Sequence, residues 1–218
     1  MFLQICLKMM VNYFDFFVLL SQNLKLILLF QICEQAPFGK GMETVVDTTV
    51  RNAWQIDAEK LILESELMER VQQQAENCVA EMMGSSDCQA DIQVKPYKLV
   101  LYEEGGFFLP HKDTEKEKGH FATFIIHLPS AHTGGDLELE FMGKRKTVKS
   151  ENSKKAILYT CFFTDVTHEI KPVIKGRRLA LLFNLIKKDT SLLAPLDPTL
   201  IETQLSDALV SIIEFQLL

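Results

Sequence analysis

Residues 92–113 read IQVKPYKLVLYEEGGFFLPHKD, and this stretch decides the fold. Its first half is β-branched and aromatic. It then breaks at Glu104-Gly105-Gly106 and resumes as a second short apolar run ending in His111-Lys112-Asp113. Runs of this kind, bounded by glycine-rich turns, read as strands. The same texture continues downstream. It predicts strands over Val94–Tyr102, Phe107–Lys112, His120–Leu128, Asp136–Phe141, Lys144–Val148, Ala156–Phe163, His168–Val173 and Arg178–Ile186. Turn signals separate them at Thr133-Gly134-Gly135, Met142-Gly143-Lys144, Ser150–Ser153 and Lys175-Gly176. Many short strands at this spacing predict an antiparallel sandwich or barrel, and a jelly roll needs about eight.

Working outward, Thr44–Gln55 is β-branched and predicts one more strand. Ala58–Met83 carries Leu61, Leu63, Leu67, Val71, Ala75, Val79 and Met82 at helical spacing and predicts a helix that ends at Gly84–Asp87. Downstream, Pro195 and Pro198 mark a loop before a closing helix over Leu200–Leu217. The chain therefore divides into an apolar segment 1–33, a central domain 34–188, and a loop and helix at 189–218. Segment 1–33 is expected to form one or two buried or partner-facing helices. Its longest uncharged stretch, Phe16–Leu24, is too short to span a bilayer, although a signal anchor stays open.

The net charge of -6 and pI near 5.4 argue against broad binding to a phosphate backbone. Five cysteines without a CxxC favour neither a disulfide scaffold nor a zinc cluster. A reducing compartment, cytoplasmic or nuclear, fits this usage.

The chemistry concentrates on His111 and Asp113. In a strand, residues i and i+2 share a face, so an imidazole and a carboxylate would converge there with Lys112 turned away. Non-haem Fe(II) takes two imidazoles and one carboxylate on one face. His168, in FTDVTHEIKPV, is the candidate third ligand. Ten residues later comes Arg178, whose planar guanidinium suits a carboxylate held by two hydrogen bonds. A hairpin bent at Pro172 and Lys175-Gly176 would return it towards the metal. Arg177 and Arg178 must face opposite ways, and Arg178 shares inward parity with Ala180 and Leu182. Among the other histidines, His127 reads as a core or pocket residue and His132 as a loop residue.

Together, YEEGGFFLPHKD, ATFIIHLPS, TGGDLELEF and HEIKPVIKGRRLALLF resemble the 2-oxoglutarate- and Fe(II)-dependent dioxygenases, in particular the prolyl 4-hydroxylase-like branch. The resemblance runs from about Val94 to Ile186. It implies a mainly β fold with flanking helices: a double-stranded β-helix (jelly roll) with helices packed on one sheet. It implies that His111, Asp113 and His168 hold Fe(II), that Arg178 binds the distal carboxylate of 2-oxoglutarate, and that Tyr102 and Thr123 line the cosubstrate pocket. O2 is the second cosubstrate and ascorbate an accessory reductant the family allows. The implied reaction couples oxidative decarboxylation of 2-oxoglutarate to hydroxylation, with a prolyl residue of a protein as the family substrate and a small molecule as the alternative. Two departures stand out. Ile126 and His127 occupy positions where some prolyl hydroxylases carry tyrosines, and Arg178 stands where collagen-type relatives carry lysine. The loops Glu115–Gly119 and Pro129–Gly135 are expected to frame the substrate entrance. Two rival readings are a non-catalytic β-sandwich binding module and a cupin-like metal protein using His127 or His132.

Overall fold

A computed structural model describes residues 5–7, 32–40, 43–83, 92–150, 156–188 and 211–216. Twelve strands build its two main sheets. In chain order they are β1 (Glu34–Gln35), β2 (Arg51–Asn52), β3 (Trp54–Asp57), β4 (Ile92–Tyr102), β5 (Phe107–His111), β6 (His120–Leu128), β7 (Leu137–Phe141), β8 (Lys144–Val148), β9 (Ala156–Phe163), β10 (Thr167–Ile170), β11 (Arg178–Lys187) and β12 (Ser211–Gln216). The major sheet has the order β12-β9-β6-β11-β4-β3-β1, and the minor sheet β8-β7-β10-β5-β2. Strands β4 to β11 correspond to the eight strands read from the sequence. Along them the chain passes repeatedly from one sheet to the other, as a double-stranded β-helix does.

Alternation along the major sheet separates two environments. Leu99, Leu101, Phe124, Ile126, Leu128, Leu179, Leu181, Phe183 and Leu185 belong to one apolar cluster. The helix α1 (Ser65–Met83) closes that cluster with Leu67, Val71, Ala75, Cys78, Val79 and Met82, all on one stripe. Each buried Val, Leu or Met of this stripe contributes about 1.5–3 kcal/mol of burial free energy, so the helix is anchored by packing. The intervening residues, among them Val100, Tyr102, Ile125, Phe162 and Ala180, face the minor sheet across the interior.

Five expectations need correction. The stretch 44–55 is not one strand. Glu43–Val45 pairs with Phe38–Lys40. The Asp47 carboxylate then accepts hydrogen bonds from the Thr49 amide and hydroxyl at 2.9 and 2.6 Å, which closes a turn before β2. The helix begins at Ser65, because Leu61–Leu63 pairs in parallel with Ile5–Leu7. That pairing also makes Ile5–Leu7 a strand where a helix was expected; residues 8–31 lie outside the described residues. The closing helix is contradicted over Ser211–Gln216, which is a strand on the exposed edge of β9. Its remaining residues, 200–210 and 217, lie outside the described residues. Finally, His168 and Arg178 do not share a hairpin. Strand β10 ends at Ile170 in the minor sheet. Val173–Gly176 pairs with His132–Gly134, and β11 then starts in the major sheet.

Candidate metal and cosubstrate site

Strands β10 and β5 are antiparallel neighbours, and His168 stands directly opposite His111 in their register. Asp113 lies two residues beyond the end of β5. It is tied to the site by Thr123 on β6, whose hydroxyl donates to Asp113 Oδ2 at 2.6 Å. One potential ligand atom from each of His111, Asp113 and His168 lies within 4.8 Å of the others. The triad thus draws on a span of sequence from β5 to β10 and converges at one point in space.

The backbone sets the chemistry of both imidazoles. His111 Nδ1 is 2.8 Å from the Leu109 carbonyl and His168 Nδ1 is 3.1 Å from that of Val166. A carbonyl only accepts, so each Nδ1 carries the proton and each Nε2 keeps a free lone pair. Aromatic rings fix the planes. Phe108 stacks on His111 with centroids 3.5 Å apart, and Phe162 packs on His168 at 4.6 Å. Burial, then the neighbouring His168, pushes the His111 imidazolium down to about 3. For Asp113, burial acts upward, but His168, the Thr123 hydrogen bond and His111 outweigh it and hold the carboxyl below its usual range. The site therefore holds a neutral His111 imidazole beside an ionised Asp113 carboxylate, the protonation state in which these two groups can ligate a divalent metal.

Opposite this triad, on the major sheet, β11 begins with Arg178. Its side chain is 2% exposed and lines the same cavity, of about 190 Å³, as the three metal-ligand candidates. Arg177 points outward, with Nε 3.6 Å from Glu103. Strand parity therefore separated the two arginines correctly. Arg178 donates through Nη2 to His127 Nδ1 at 3.2 Å, and its guanidinium lies 5.3 Å from the Tyr102 ring centroid. Its Nε is buried without a partner. Among the described residues no carboxylate comes within ion-pair distance of it. Burial correspondingly pushes its pKa down. Gly135 makes room for this side chain. A Cβ there would sit 3.0 Å from both Arg178 Cδ and Val173 Cγ2, at a φ of +70°.

Of the other residues singled out from sequence, Tyr102 and Thr123 both line the cavity. Thr123 has its hydroxyl on Asp113, so it acts on the triad's carboxylate. His127 and His132 are not brought to the triad. His127 is bonded to Thr160 Oγ1 at 2.9 Å and to Arg178. His132 is bonded to Ser130 and Ser150. Neither offers a lone pair to a metal in this arrangement. The loop Pro129–Gly135 contributes no lining residue, whereas Lys116 of Glu115–Gly119 does. The rest of the mouth comes from Pro37–Gly39, Thr44 and Lys112–Thr114.

Sequence reasoning missed Arg51, Tyr97 and Lys98. Strict alternation places Tyr97 and Lys98 on opposite faces, yet both line the cavity. The pairing shifts between Leu182↔Lys98 and Phe183↔Pro96, a bulge that turns Tyr97 inward. Pro96, inside an otherwise regular strand, was the available signal.

Residues 97–186 match the model of the 2OG-Fe(II) oxygenase superfamily. This segment belongs to that superfamily. The matched span contains the triad and Arg178. No curated protein sequence matches the chain. Among solved structures, similarity extends to a Pseudomonas putida prolyl-4-hydroxylase, 19% identical over 65% of this chain and 75% of that one, with a TM-score of 0.45. A Trichoplax adhaerens prolyl hydroxylase, solved with a hypoxia inducible factor peptide fragment, is 16% identical over 77% and 78%, with a TM-score of 0.47. A 2OG-Fe(II) oxygenase family oxidoreductase from Burkholderia pseudomallei is 13% identical over 76% and 80%, with a TM-score of 0.45. The oxygenase domain is that of a 2-oxoglutarate-dependent dioxygenase, with Fe(II), 2-oxoglutarate and O2 as its cofactor and cosubstrates. None of the described helices is long and apolar enough to cross a membrane.

Proposed function

We propose that His111, Asp113 and His168 hold Fe(II) and that Arg178 receives the distal carboxylate of 2-oxoglutarate, in a hydroxylase acting on a prolyl residue of a protein. The observation that carries this reading is the buried guanidinium of Arg178. A cation removed from water without a counterion costs several kcal/mol. The fold retains one in the cavity that also holds the donor triad. A binding module would need neither feature. A cupin-like metal protein would need the triad but not the orphaned arginine.

When bound, the metal and its cosubstrates supply the oxidising chemistry that replaces a C–H bond by C–OH while 2-oxoglutarate loses CO2. The protein's residues prepare for it. Leu109 and Val166 hold the imidazoles in the Nδ1–H form. Thr123 occupies Asp113 Oδ2 and leaves Oδ1 for coordination. Phe108 and Phe162 keep the rings from turning. Arg178, with its Nε and remaining N–H groups undirected, aligns a dicarboxylate end to end across the cavity. The prolyl substrate rests on the sequence resemblance described above.

The test is anaerobic titration with Fe(II), with and without 2-oxoglutarate, followed by succinate formation under air. A cosubstrate-dependent visible absorption band is expected for the wild type. His111→Ala, Asp113→Ala and His168→Ala should each lose it and lower succinate formation by about 100-fold or more, since even the outer partners of metal ligands are worth about 10–100-fold. Full turnover in any one of the three rejects the assignment.

A further inference from the structure

The cavity holds more positive charge than the metal and cosubstrate can use. Its lining includes Arg51, Lys98, Lys112, Lys116 and Arg178, against the single carboxylate of Asp113. On the reading above, on which this inference rests, Arg178 faces one carboxylate of 2-oxoglutarate. Asp113 and the other carboxylate balance a divalent ion. Four cations remain uncompensated.

Arg51 is the informative one. It is 6% exposed, and Nη1 donates to the Pro37 carbonyl at 2.6 Å. Its guanidinium lies 4.5 Å over Phe108, the ring that stacks on His111. Its Nε is buried and has no hydrogen-bond partner. Lys98 donates to Gln55 Oε1 at 2.8 Å and Lys116 to Thr114 Oγ1 at 2.8 Å, both neutral acceptors. Among the described residues no carboxylate comes within ion-pair distance of Arg51, Lys98, Lys112 or Lys116. The acids with an appreciable effect on Lys98 are Asp57 and Asp113, and burial together with Arg51 outweighs them. Tyr97 offers a flat wall between the two lysines, with Nζ of Lys98 at 4.2 Å and of Lys116 at 5.9 Å from its centroid.

We propose that the substrate is an acidic peptide segment, whose carboxylate beside the hydroxylated residue is received by Arg51, with Lys98 and Lys116 supporting it. A guanidinium already seated over Phe108 and fixed at one end by the Pro37 carbonyl has little freedom left to lose. It is therefore pre-organised for a carboxylate. A neutral or basic segment would leave Arg51 buried and unpaired in the complex, which is how a site rejects the wrong ligand.

The test is fluorescence anisotropy with three labelled peptides of equal length, each with a central proline flanked by glutamate, glutamine or lysine. The protein is loaded with Fe(II) and 2-oxoglutarate and kept free of oxygen. The glutamate peptide should bind at least tenfold more tightly than the glutamine peptide, and the lysine peptide most weakly. Arg51→Gln should reduce the glutamate-to-glutamine ratio to near one, and Arg51→Lys should retain part of it. If Arg51→Gln does not fold, the exposed Lys116→Gln variant reads the same ratio and should lower it two- to threefold. Equal binding of all three peptides, no binding by any, or an intact ratio in both Arg51→Gln and Lys116→Gln would overturn the proposal. The same peptides applied to protein without metal separate the two claims. A glutamate preference there, in a protein that fails the titration with 2-oxoglutarate, keeps the carboxylate-binding cationic site and rejects the dioxygenase assignment of the triad.

Discussion

Strand β11 turns Leu179, Leu181, Phe183 and Leu185 towards the helix and Arg178, Ala180 and Leu182 towards the cavity. The two faces of this one sheet follow opposite rules. The helix face is an apolar cluster in which every side chain finds partners of its own kind. The cavity face holds a buried cation without a counterion, a neutral histidine beside it and a hydroxyl assigned to a carboxylate. The first face is finished by folding. The second is complete only with ligands, and stability on one side is what permits unsatisfied groups on the other.

The largest effect expected from breaking this division is on the helix face. Phe124 is fully buried, with Tyr159 and Phe183 rings at 5.7 and 6.2 Å. Phe124→Ala should cost about 3–5 kcal/mol of unfolding free energy, read from denaturant midpoints. The protein that remains folded should still take up 2-oxoglutarate. A folded Phe124→Ala protein without cosubstrate binding would show that the faces are not independent.

Arg178→Met should do the reverse. Removing a charged hydrogen-bonding partner of a carboxylate costs about 1.5–3 kcal/mol, or roughly 10–100-fold in the KM for 2-oxoglutarate. Thermal stability should stay level or rise, because an unpaired buried charge has gone. A variant that binds 2-oxoglutarate normally would remove the central argument for the cosubstrate pocket. A smaller effect follows from Thr123→Val, which frees Asp113 Oδ2. Metal affinity should fall by about tenfold, measured by competition with a chelator, with little change in fold.

How far the sequence reached also divides along these faces. The eight core strands were legible because most are short runs rich in apolar and β-branched residues, separated by turn signals. Parity explains why Arg178 and not Arg177 turns inward, whereas Asp113, beyond the end of β5, is held near His111 and His168 through its bond from Thr123. What was not legible depended on pairing partners. Leu61–Leu63 continues the helical pattern of α1 in the sequence, yet pairing with Ile5–Leu7 makes it a strand. SIIEFQ is equally compatible with helix or strand until the free edge of β9 claims it. Pro172 was read as a hairpin bend, but it sends the chain between sheets, which is why His168 and Arg178 meet across the interior instead of side by side. Arg51 was hidden in a stretch taken for one strand, and Tyr97 in a bulge.

Lys98 gives the subtlest test of the contrast, because it sits on the cavity face with a cost that pH can remove. Burial, followed by the charge of Arg51, lowers its ammonium from 10.5 to about 8. Between those two values the unfolded chain binds the proton and the folded chain does not. Stability contributed by this site should therefore rise as pH climbs from about 8 to about 10.5, and be lowest below 8. Lys98→Met abolishes the titration, so the difference in melting temperature between wild type and variant, not either value alone, should change across that window. After allowance for solvent screening the change is on the order of 1 kcal/mol. A difference that stays flat from pH 7 to pH 10 would mean that Lys98 is charge-compensated in the free protein. The cationic surplus of the cavity would then shrink to the arginines and the two exposed lysines.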